Sequence, residues 1–456
     1  MKTSMKTSVG VALVIAVSAC QGDFLTGNQL SNNPNIPQVA TNTQIFIGIH
    51  ANVFYTYTGA LVRNTSVLAQ SFQGTNGLSA LDQYVVTTAS GEGIELQLAG
   101  PGGLLDARRL EALALAAGDS IMLGMAQVQE ALLIGMGADV WGDLVYTHAL
   151  RNEANPPLDD QLVIFDSLQV LLSRAIVNLS ATGPTNVGPR NADVAFKGNA
   201  ASWIAMAHSL KARFFIHNGE VRPTTAYASA LTEAALGIQA PTGNYQAVFG
   251  GGTGDQNPWS LYVLGVRAGY LAPGHVLDSI LVARNDPRRA LYFKIVGGVA
   301  TDLAAARVTS TFPQPILTAA ETHLTWAEAA YRTGDMVMAL AQLNVARSFV
   351  TGLSAEPAGL TGPALLQEIL TEEYIDDYQL GDEAWKLYRR TCYPNLANRS
   401  SGGTLPMPGR LFYDPIDVQT NTSLPAAGIS PNGIRNSNDP ANATSDVGGG
   451  KCIAGA

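Results

Sequence analysis

Residues 319–350, AAETHLTWAEAAYRTGDMVMALAQLNVARSFV, contain two apolar helical patterns separated by Gly334 and Asp335. Small residues recur in this stretch at intervals of seven, five and seven, at Ala327, Gly334, Ala339 and Ala346. Small side chains at such intervals allow two helices to pack closely, and the glycine permits a tight turn between them. Trp326 and Leu343 supply the bulky side chains of the interface. The stretch therefore predicts a close-packed helix pair.

A helix pair with this spacing is typical of a tetratricopeptide repeat, in which stacked units bury a common core. Apolar residues at helical spacing recur at 39–70, 104–137, 160–179, 197–217, 224–237 and about 362–390. Long irregular segments separate them, at 71–103, 240–315 and 394–456. Because these segments are too long for a regular solenoid, we predict a mostly α fold, a tetratricopeptide-like helical-repeat body with large loop-rich insertions. We expect little β structure, with Tyr84–Thr87 as a strand candidate.

The composition excludes several classes of protein. Of the 456 residues, 46% are hydrophobic and 14% are charged, which is sufficient for a large core and unlike a charge-driven disordered chain. The formal net charge is -9 and no Lys/Arg cluster occurs, so we expect no nucleic-acid ligand. After the N-terminal segment no run of about 18 uncharged apolar residues occurs, which argues against several membrane spans.

The first twenty residues resemble the export signal of a lipoprotein. Lys2 and Lys6 precede a short apolar segment that ends in Val17-Ser18-Ala19-Cys20, a sequence similar to a bacterial lipobox, whose cysteine is lipidated. We therefore predict a signal peptide at 1–19, a lipidated tether at 20–38 that begins at Cys20, and a single domain at 39–456. An ordinary secretory signal with a coincidental cysteine is the alternative.

Two further cysteines, Cys392 and Cys452, remain if Cys20 is acylated. Export through an oxidising compartment permits a disulfide between them, which would tie the Gly- and Asn-rich tail to the body. Both residues staying unpaired is equally compatible with the sequence. No CxxC motif and no His/Cys pair at zinc spacing occurs, so we expect neither a metal nor another cofactor.

Several segments together resemble one family, the SusD/RagB outer-membrane lipoproteins, in its starch-binding branch. The similar segments are Asp23–Leu25, Trp141–Tyr146, Trp203–Arg213, Asn257–Trp259, Arg284–Arg288, Glu372–Arg390 and Pro408–Tyr413. Their order along the chain, from residue 20 to about 425, matches that of the family. The chain departs from the family pattern at Val145, where proline is usual, at His208, where asparagine is usual, and at Glu383, where arginine is frequent.

The resemblance implies a non-catalytic binding lipoprotein on the cell-surface side of the outer membrane, held there by a lipid anchor. Members of the family act as a lid on a TonB-dependent, SusC-like transporter, to which they deliver captured glycans or, in one branch, peptides. Gln21 is not aspartate, so the usual cue for retention in the inner membrane is absent. Three functions stay open: glycan capture, capture of peptides or another nutrient by the same fold, and a general helical-repeat scaffold.

Two loops combine aromatic side chains with the planar polar groups that bind sugars, 72–84 and 244–270. Within them we expect Tyr84, Trp259 and Tyr262 to stack on a ligand. The polar candidates are Asn257, Gln83 and Arg267. The alternative for each aromatic residue is packing beneath its own loop. Trp141, Trp203 and Trp385 lie in helical segments and are predicted to be core residues.

The sequence offers little support for an enzyme. Asp376-Asp377 and Asp382-Glu383 are adjacent carboxylates, and neighbouring residues on a helix diverge by about 100°. We therefore expect a solvated helix face rather than the paired carboxylates of a glycosidase. The sequence also contains no GxSxG, HExxH or Walker A motif. An unrecognised enzyme is the remaining possibility.

Overall fold

The computed structural model describes residues 40–90, 98–396, 405–425 and 432–440. Residues Ile45–Ala456 belong to one compact unit, and of the preceding unit, Met1–Gln44, only residues 40–44 are described. The α-helices run as follows: α1 Asn42–Thr58, α2 Ala60–Leu68, α3 Ser79–Asp82, α4 Leu104–Ala117, α5 Ser120–Trp141, α6 Gln161–Leu179, α7 Ala200–His217, α8 Pro223–Ala234, α9 Pro258–Ser260, α10 His275–Ala283, α11 Arg288–Tyr292, α12 Ala319–Arg332, α13 Met336–Ser348, α14 Gly362–Asp376, α15 Glu383–Thr391 and α16 Pro415–Thr420. The predicted mostly α fold is confirmed.

Short strands form three two-stranded antiparallel sheets, β1 with β3, β2 with β6 and β4 with β5. The strands are β1 Phe72–Gly74, β2 Tyr245–Ala247, β3 Leu271–Pro273, β4 Phe293–Val296, β5 Val299–Leu303 and β6 Gln314–Leu317. Each strand therefore lies in or beside one of the two insertions predicted at 71–103 and 240–315. Tyr84–Thr87 is not a strand, because Tyr84 has a left-handed backbone conformation with φ of 62° that ends extended structure.

The helix pair predicted at 319–350 is present as α12 and α13. Gly334 adopts a φ of 94° between them, a conformation that favours glycine, and the Asp335 side chain accepts a hydrogen bond from Met338 N. The small residues at the interface are buried, namely Ala327, Ala339 and Ala346. They pack with Leu343, Leu365 and Ile369 in one apolar cluster, with Trp326 at its edge. Small residues at these positions let α12 and α13 approach closely, and for this reason their spacing predicted the pair.

Helices α4 to α8, α12 and α13 pack in succession, each against the next. The approach of α5 to α7 is especially close, since a Cβ on Gly135 would lie 2.1 Å from the Phe214 ring. Because α8 packs directly on α12, residues 235–318 leave the stack and return without interrupting it. The helical body thus supports a large insertion.

Two predicted helices are each divided. The helix expected at 104–137 ends at Gly118, whose φ is 68°, and α5 then begins with Asp119 as its N-cap. The helix expected at 362–390 is interrupted between Asp376 and Glu383, where Gly381 has a φ of 53°. Both breaks therefore occur where a glycine takes a conformation that no regular helix contains.

A buried ion-pair network joins the central helices. Arg213 of α7 donates from Nη2 to Glu321 Oε2 at 2.6 Å, and its Nη1 lies 3.1 Å from Glu383 Oε1. One turn later, His217 contacts Asp139 at 2.8 Å and Glu383 at 2.9 Å. Burial alone lowers the pKa of His217, but these two carboxylates outweigh it and raise the pKa to about 9. The network thus connects α5, α7, α12 and α15.

The adjacent carboxylates of α14 and α15 do not form the solvated face that the sequence suggested. Asp377, Asp382 and Glu383 are buried, although Asp376 is partly exposed. Burial, together with the nearby carboxylate of Asp139, raises the pKa of Asp382 to about 8. Helix α15 is buried along its whole length and α14 along most of its second half, so that most of the charged residues there lie inside the protein instead of facing water.

The motifs at 141–146, 372–390 and 408–413 attach the C-terminal segment to the helical body. Trp141 donates a hydrogen bond from Nε1 to the Phe412 carbonyl at 2.8 Å, and the Tyr413 hydroxyl donates to the Asp143 carbonyl at 2.7 Å. Arg389 of α15 lies 3.1 Å from Asp439. Trp141, Trp203 and Trp385 are fully buried, which confirms their prediction as core residues.

Three helical stretches are long and apolar enough to cross a membrane by length and composition alone, Asn42–Leu68, Ser120–Trp141 and Gln161–Leu179. Each contains charged side chains, and those of Arg63, Glu130 and Asp139 are buried inside the protein. Most of the second stretch is covered by other parts of the chain. The apolar residues of this stretch therefore pack largely in the protein core.

Replacing Arg390 by glutamine should lower the free energy of unfolding by about 3–5 kcal/mol. Arg390 donates to Glu328 Oε1 at 2.8 Å and to Oε2 at 2.5 Å, and the change takes the bidentate partner from the buried Glu328 carboxylate, which then keeps Arg332 at 3.4 Å as its ion-pair partner. Arg222→Gln is the matched control, because its ion pair with Asp166 is exposed and should contribute about 1 kcal/mol or less. Denaturant unfolding followed by circular dichroism measures both. Equal losses would contradict a structural role for the network.

Candidate functional site

The two loops that the sequence singled out, 72–84 and 244–270, are joined by a β-ladder. Strand β1 pairs with β3, so that Gln73 lies opposite Ala272 and Gly74 opposite Leu271. The ladder continues beyond β1, where Thr75 N donates to the Tyr270 carbonyl at 2.9 Å. Loops separated by about 160 residues in sequence thus form one surface region. The sequence did not indicate this pairing, since β1 and β3 have three residues each.

Trp259 is fully buried and does not present its ring to solvent. It packs on Phe72 of the other loop, with the ring centroids 5.1 Å apart. Asn257 is also fully buried: its side-chain oxygen accepts from Trp259 N and its Nδ2 donates to the Phe312 carbonyl, both at 2.8 Å. In this structure both residues anchor the second loop instead of facing a ligand, which is the alternative that the sequence left open.

Tyr84 is likewise buried, and its hydroxyl accepts a hydrogen bond from Gln70 Nε2 at 3.1 Å. Its carbonyl accepts from Asn432 Nδ2 at 2.7 Å, so Tyr84 fixes the end of the first loop against the C-terminal segment. Gln83, immediately before it, is exposed. Of the two, only Gln83 is accessible to a ligand in this conformation.

Tyr262 and Arg267 belong to a compact surface group that we call the tyrosine platform, consisting of Arg63, Tyr262, Arg267 and Tyr270. The two tyrosine rings meet edge to face, with centroids 6.3 Å apart and an interplanar angle of 89°. Both tyrosines are partly exposed, and Arg267 is exposed. The Arg267 guanidinium lies 5.5 Å from the Tyr270 ring centroid, within the range of a cation–π contact. The platform thus presents aromatic surface beside a cation.

Arg63 of α2 reaches the platform from below, with its guanidinium 4.2 Å from the Tyr262 ring centroid. It is buried, and its Nη1 has no hydrogen-bond partner among the described residues. Burial lowers the pKa of Arg63 to about 10, so it remains a cation at neutral pH. Sequence reasoning missed Arg63. The sequence feature that could have indicated it is a charged residue directly after the apolar pair Leu61-Val62 of a predicted helix.

Tyr262 lies in a π-helical turn, Leu261–Val266. Turns of this type are rare and occur frequently at functional sites. Leu261, Leu264 and Val266 of the same turn are more than half exposed, at 52%, 65% and 64%. These side chains add exposed apolar surface to the turn that carries Tyr262.

The buried carboxylates enclose no substrate-sized cleft. Glu321, Glu373, Asp377 and Glu383 line a cavity of about 30 Å³ together with Arg213 and Arg390. This volume holds about one water molecule. Burial and the neighbouring carboxylates raise the pKa of Asp377 well above its ordinary value. Raised carboxyl pKa values are typical of catalytic sites, but this cavity is too small for a sugar. These carboxylates therefore belong to the structural ion-pair network.

Within the described ranges, no group of three or more His, Cys, Asp or Glu side chains is arranged to hold a metal ion. Cys392 is disulfide-bonded. Cys20 and Cys452 are the other two cysteines, and both lie outside the described residues. The predicted pairing of Cys392 with Cys452 and the lipidation of Cys20 therefore stay predictions.

The sequence matches a family model over residues 34–414, and the family is described as SusD-like, starch-binding and associating with the outer membrane. This match spans most of the chain, and the helical body with two joined insertions agrees with it. The chain belongs to the SusD/RagB family. No curated protein sequence matches the chain.

Solved structures show the same fold. A chitin-binding SusD homologue from Flavobacterium johnsoniae has a TM-score of 0.67 at 18% identity, over 83% of this chain and 94% of that one. A SusD homologue from Bacteroides uniformis has a TM-score of 0.67 at 19% identity, with 83% and 94% covered. A SusD-like protein from Bacteroides thetaiotaomicron has a TM-score of 0.66 at 17% identity, with 84% and 94% covered.

Trp259→Ala should lower the free energy of unfolding by about 3–5 kcal/mol, because it removes a fully buried ring from the contact with Phe72. Tyr262→Ala removes a partly exposed ring and should cost about 1 kcal/mol or less. Denaturant unfolding of the two variants measures the difference. A small loss for Trp259→Ala would contradict the anchoring role of the buried indole.

Proposed function

We propose that this protein binds glycans at its surface, and that the tyrosine platform is its ligand-contacting region. The observation that carries the proposal is the partly exposed pair Tyr262–Tyr270, with Arg267 beside Tyr270 and the buried Arg63 against Tyr262. Sugar rings present C–H faces that pack on aromatic rings and hydroxyls that accept bonds from guanidinium groups. Gln83 is a further polar candidate, as it is exposed in the loop that β1 joins to the platform.

The comparisons support a saccharide ligand. The family is described as starch-binding, and the Flavobacterium johnsoniae structure is described as a chitin-binding SusD homologue. Trp259 and Asn257 serve the site indirectly in this proposal, because they anchor the segment from which Tyr262 projects. Tyr84 similarly fixes the first loop through Gln70 and Asn432.

We further propose that the protein delivers captured glycan to a TonB-dependent, SusC-like transporter in the outer membrane. The family description, association with the outer membrane, supports this location. In the proposed arrangement residues 1–19 are removed, lipidated Cys20 anchors the chain, and residues 20–38 tether the single domain at the cell exterior. A tether lets the domain approach and leave the transporter while it stays attached to the membrane.

Tyr262→Ala and Tyr270→Ala should each weaken binding of neutral oligosaccharides by about fivefold to tenfold, because each removes one stacking ring from the centre of the site. Calorimetry with maltoheptaose and chitohexaose measures this effect. Tyr331→Ala, a partly exposed tyrosine of α12, is the matched control and should bind as the unmodified protein does. Unchanged binding in both platform variants would contradict the site. Binding of peptides without any saccharide would favour the peptide alternative.

Cys20→Ser should abolish both lipid labelling and membrane attachment, because the thiol is the proposed acylation site. Cells fed with an alkyne-tagged palmitate should yield labelled protein in the outer-membrane fraction, and the variant should lose the label. Cys452→Ser changes a cysteine outside the proposed signal and should keep the label. Labelling that persists in Cys20→Ser, or protection of the unmodified protein from protease added to intact cells, would contradict surface anchoring.

A further inference from the structure

A concave surface elsewhere in the protein shares no residue with the tyrosine platform. It is a groove of about 730 Å³ between α4, α6 and the segment that follows α5. Four arginines line it, and we call it the arginine groove: Arg108, Arg109, Arg151 and Arg174. The last three are exposed, and none of them forms an ion pair in the part of the chain that the structure describes.

The floor of the arginine groove is held in place by hydrogen bonds. Arg108 donates from Nη2 to the Tyr146 carbonyl at 3.1 Å and from Nη1 to the Ala149 carbonyl at 3.3 Å. Its Nε lies 3.5 Å from Glu130 Oε1, which also accepts from the Tyr146 hydroxyl at 2.8 Å. Glu130, the buried carboxylate of the floor, is therefore already paired with Arg108 and Tyr146. It does not neutralise the positive charges of the three exposed arginines.

Glu111 is the other acid of the arginine groove, and it adds little negative charge at neutral pH. Burial, and then the carboxyl group of Glu130 with which it shares a hydrogen bond, raise the pKa of Glu111 to about 8. Glu111 Oε1 and Glu130 Oε2 are both buried and lack a donor among the described residues. A proton shared between the two carboxyl groups satisfies both atoms, so Glu111 is largely uncharged near pH 7.

This concentration of one charge is unusual for this chain. The protein carries 27 Lys and Arg residues against 36 Asp and Glu residues, and many of its other arginines, such as Arg213 and Arg390, are paired inside. Arginines that share a groove repel one another, and a concave surface of one sign concentrates ions of the opposite charge. The planar guanidinium fork matches carboxylate and sulfate groups, to which it donates two parallel hydrogen bonds.

We propose that the arginine groove binds an anionic saccharide through its carboxylate or sulfate groups. The inference rests on the proposed function for the saccharide and adds a second site that selects for charge. Exposed Leu105 and Leu150 at the groove provide apolar contacts for the sugar ring. A groove whose free charges are all positive suits a polyanion better than a peptide, which carries charges of both signs.

The test compares the purified unmodified protein with a triple variant, Arg109→Gln, Arg151→Gln and Arg174→Gln. Calorimetry would use a tetragalacturonate, a chondroitin sulfate tetrasaccharide and neutral maltotetraose as probes. Tetragalacturonate carries carboxylates only, whereas the chondroitin sulfate tetrasaccharide carries both carboxylates and sulfates, so tighter binding of the second indicates that sulfate is recognised. We expect the unmodified protein to bind at least one acidic probe more tightly than maltotetraose. The triple variant should lose about tenfold in affinity for that probe and keep its affinity for maltotetraose.

The matched control removes the same charge elsewhere: Arg190→Gln, Lys197→Gln and Lys294→Gln change exposed residues outside the groove. It should bind every probe as the unmodified protein does. An equal loss of acidic binding in this control would show a net-charge effect and overturn the proposal. So would an acidic preference that survives in the groove variant, or tighter binding of tetraglutamate or anionic phospholipid vesicles than of either acidic saccharide.

The outcomes separate this inference from the proposed function. If the protein binds neutral saccharides without preferring the acidic ones, the groove proposal fails and glycan capture stands. If Tyr262→Ala weakens maltotetraose while the groove variant weakens only the acidic probe, both are supported as separate sites. If no saccharide binds at all, the proposed function fails, and the groove proposal fails with it.

Discussion

The buried guanidinium of Arg213 holds together parts of the chain that are far apart in sequence. It contacts Glu321 at 2.5 Å and Glu383 at 3.1 Å, and it donates to the Ile316 carbonyl at 2.7 Å. A buried ion pair repays its desolvation only when its hydrogen bonds are satisfied, so these three partners must be in place together. The repeat helices, the end of the second insertion and the late helix α15 are therefore assembled around a single cation.

A series of contacting aromatic rings leads from the end of α14 to the segment that carries the surface site. Tyr378, which follows α14, stacks on Tyr292 with centroids 4.2 Å apart and on Phe72 at 4.8 Å. Phe72 in turn contacts Trp259, and the turn that carries Tyr262 begins two residues later. The exposed platform thus rests on buried rings that belong to the body. A loop positioned in this way can present a ligand surface without a large entropic cost of ordering upon binding.

The sequence predicted those features that depend on local spacing. The helix pair at 319–350 follows from small residues at fixed intervals, and the family resemblance follows from short motifs in order. The candidate ligand site depends on contacts between residues far apart in the chain, which the spacing of residues within one segment does not predict. The pairing of β1 with β3 involves three residues in each strand, and Arg63 contributes to the site from α2. Trp259 and Tyr262 illustrate the limit, since these two aromatic residues lie three positions apart, yet Trp259 is fully buried and Tyr262 is partly exposed.

The carboxylates at the ends of α14 and α15 show a second limit of local spacing. Asp382-Glu383 was predicted to face solvent because adjacent residues on a helix diverge by about 100°, but that argument does not say what surrounds the helix. Helix α15 is buried along its whole length, so a charged residue in it is stabilised only by a partner inside the protein. Lys386, Arg389 and Arg390 of α15 are all buried and all paired with carboxylates. Because so many arginines are paired inside this protein, an exposed arginine without a partner is informative. That contrast, and not the net charge of the chain, gives the groove between α4 and α6 its significance.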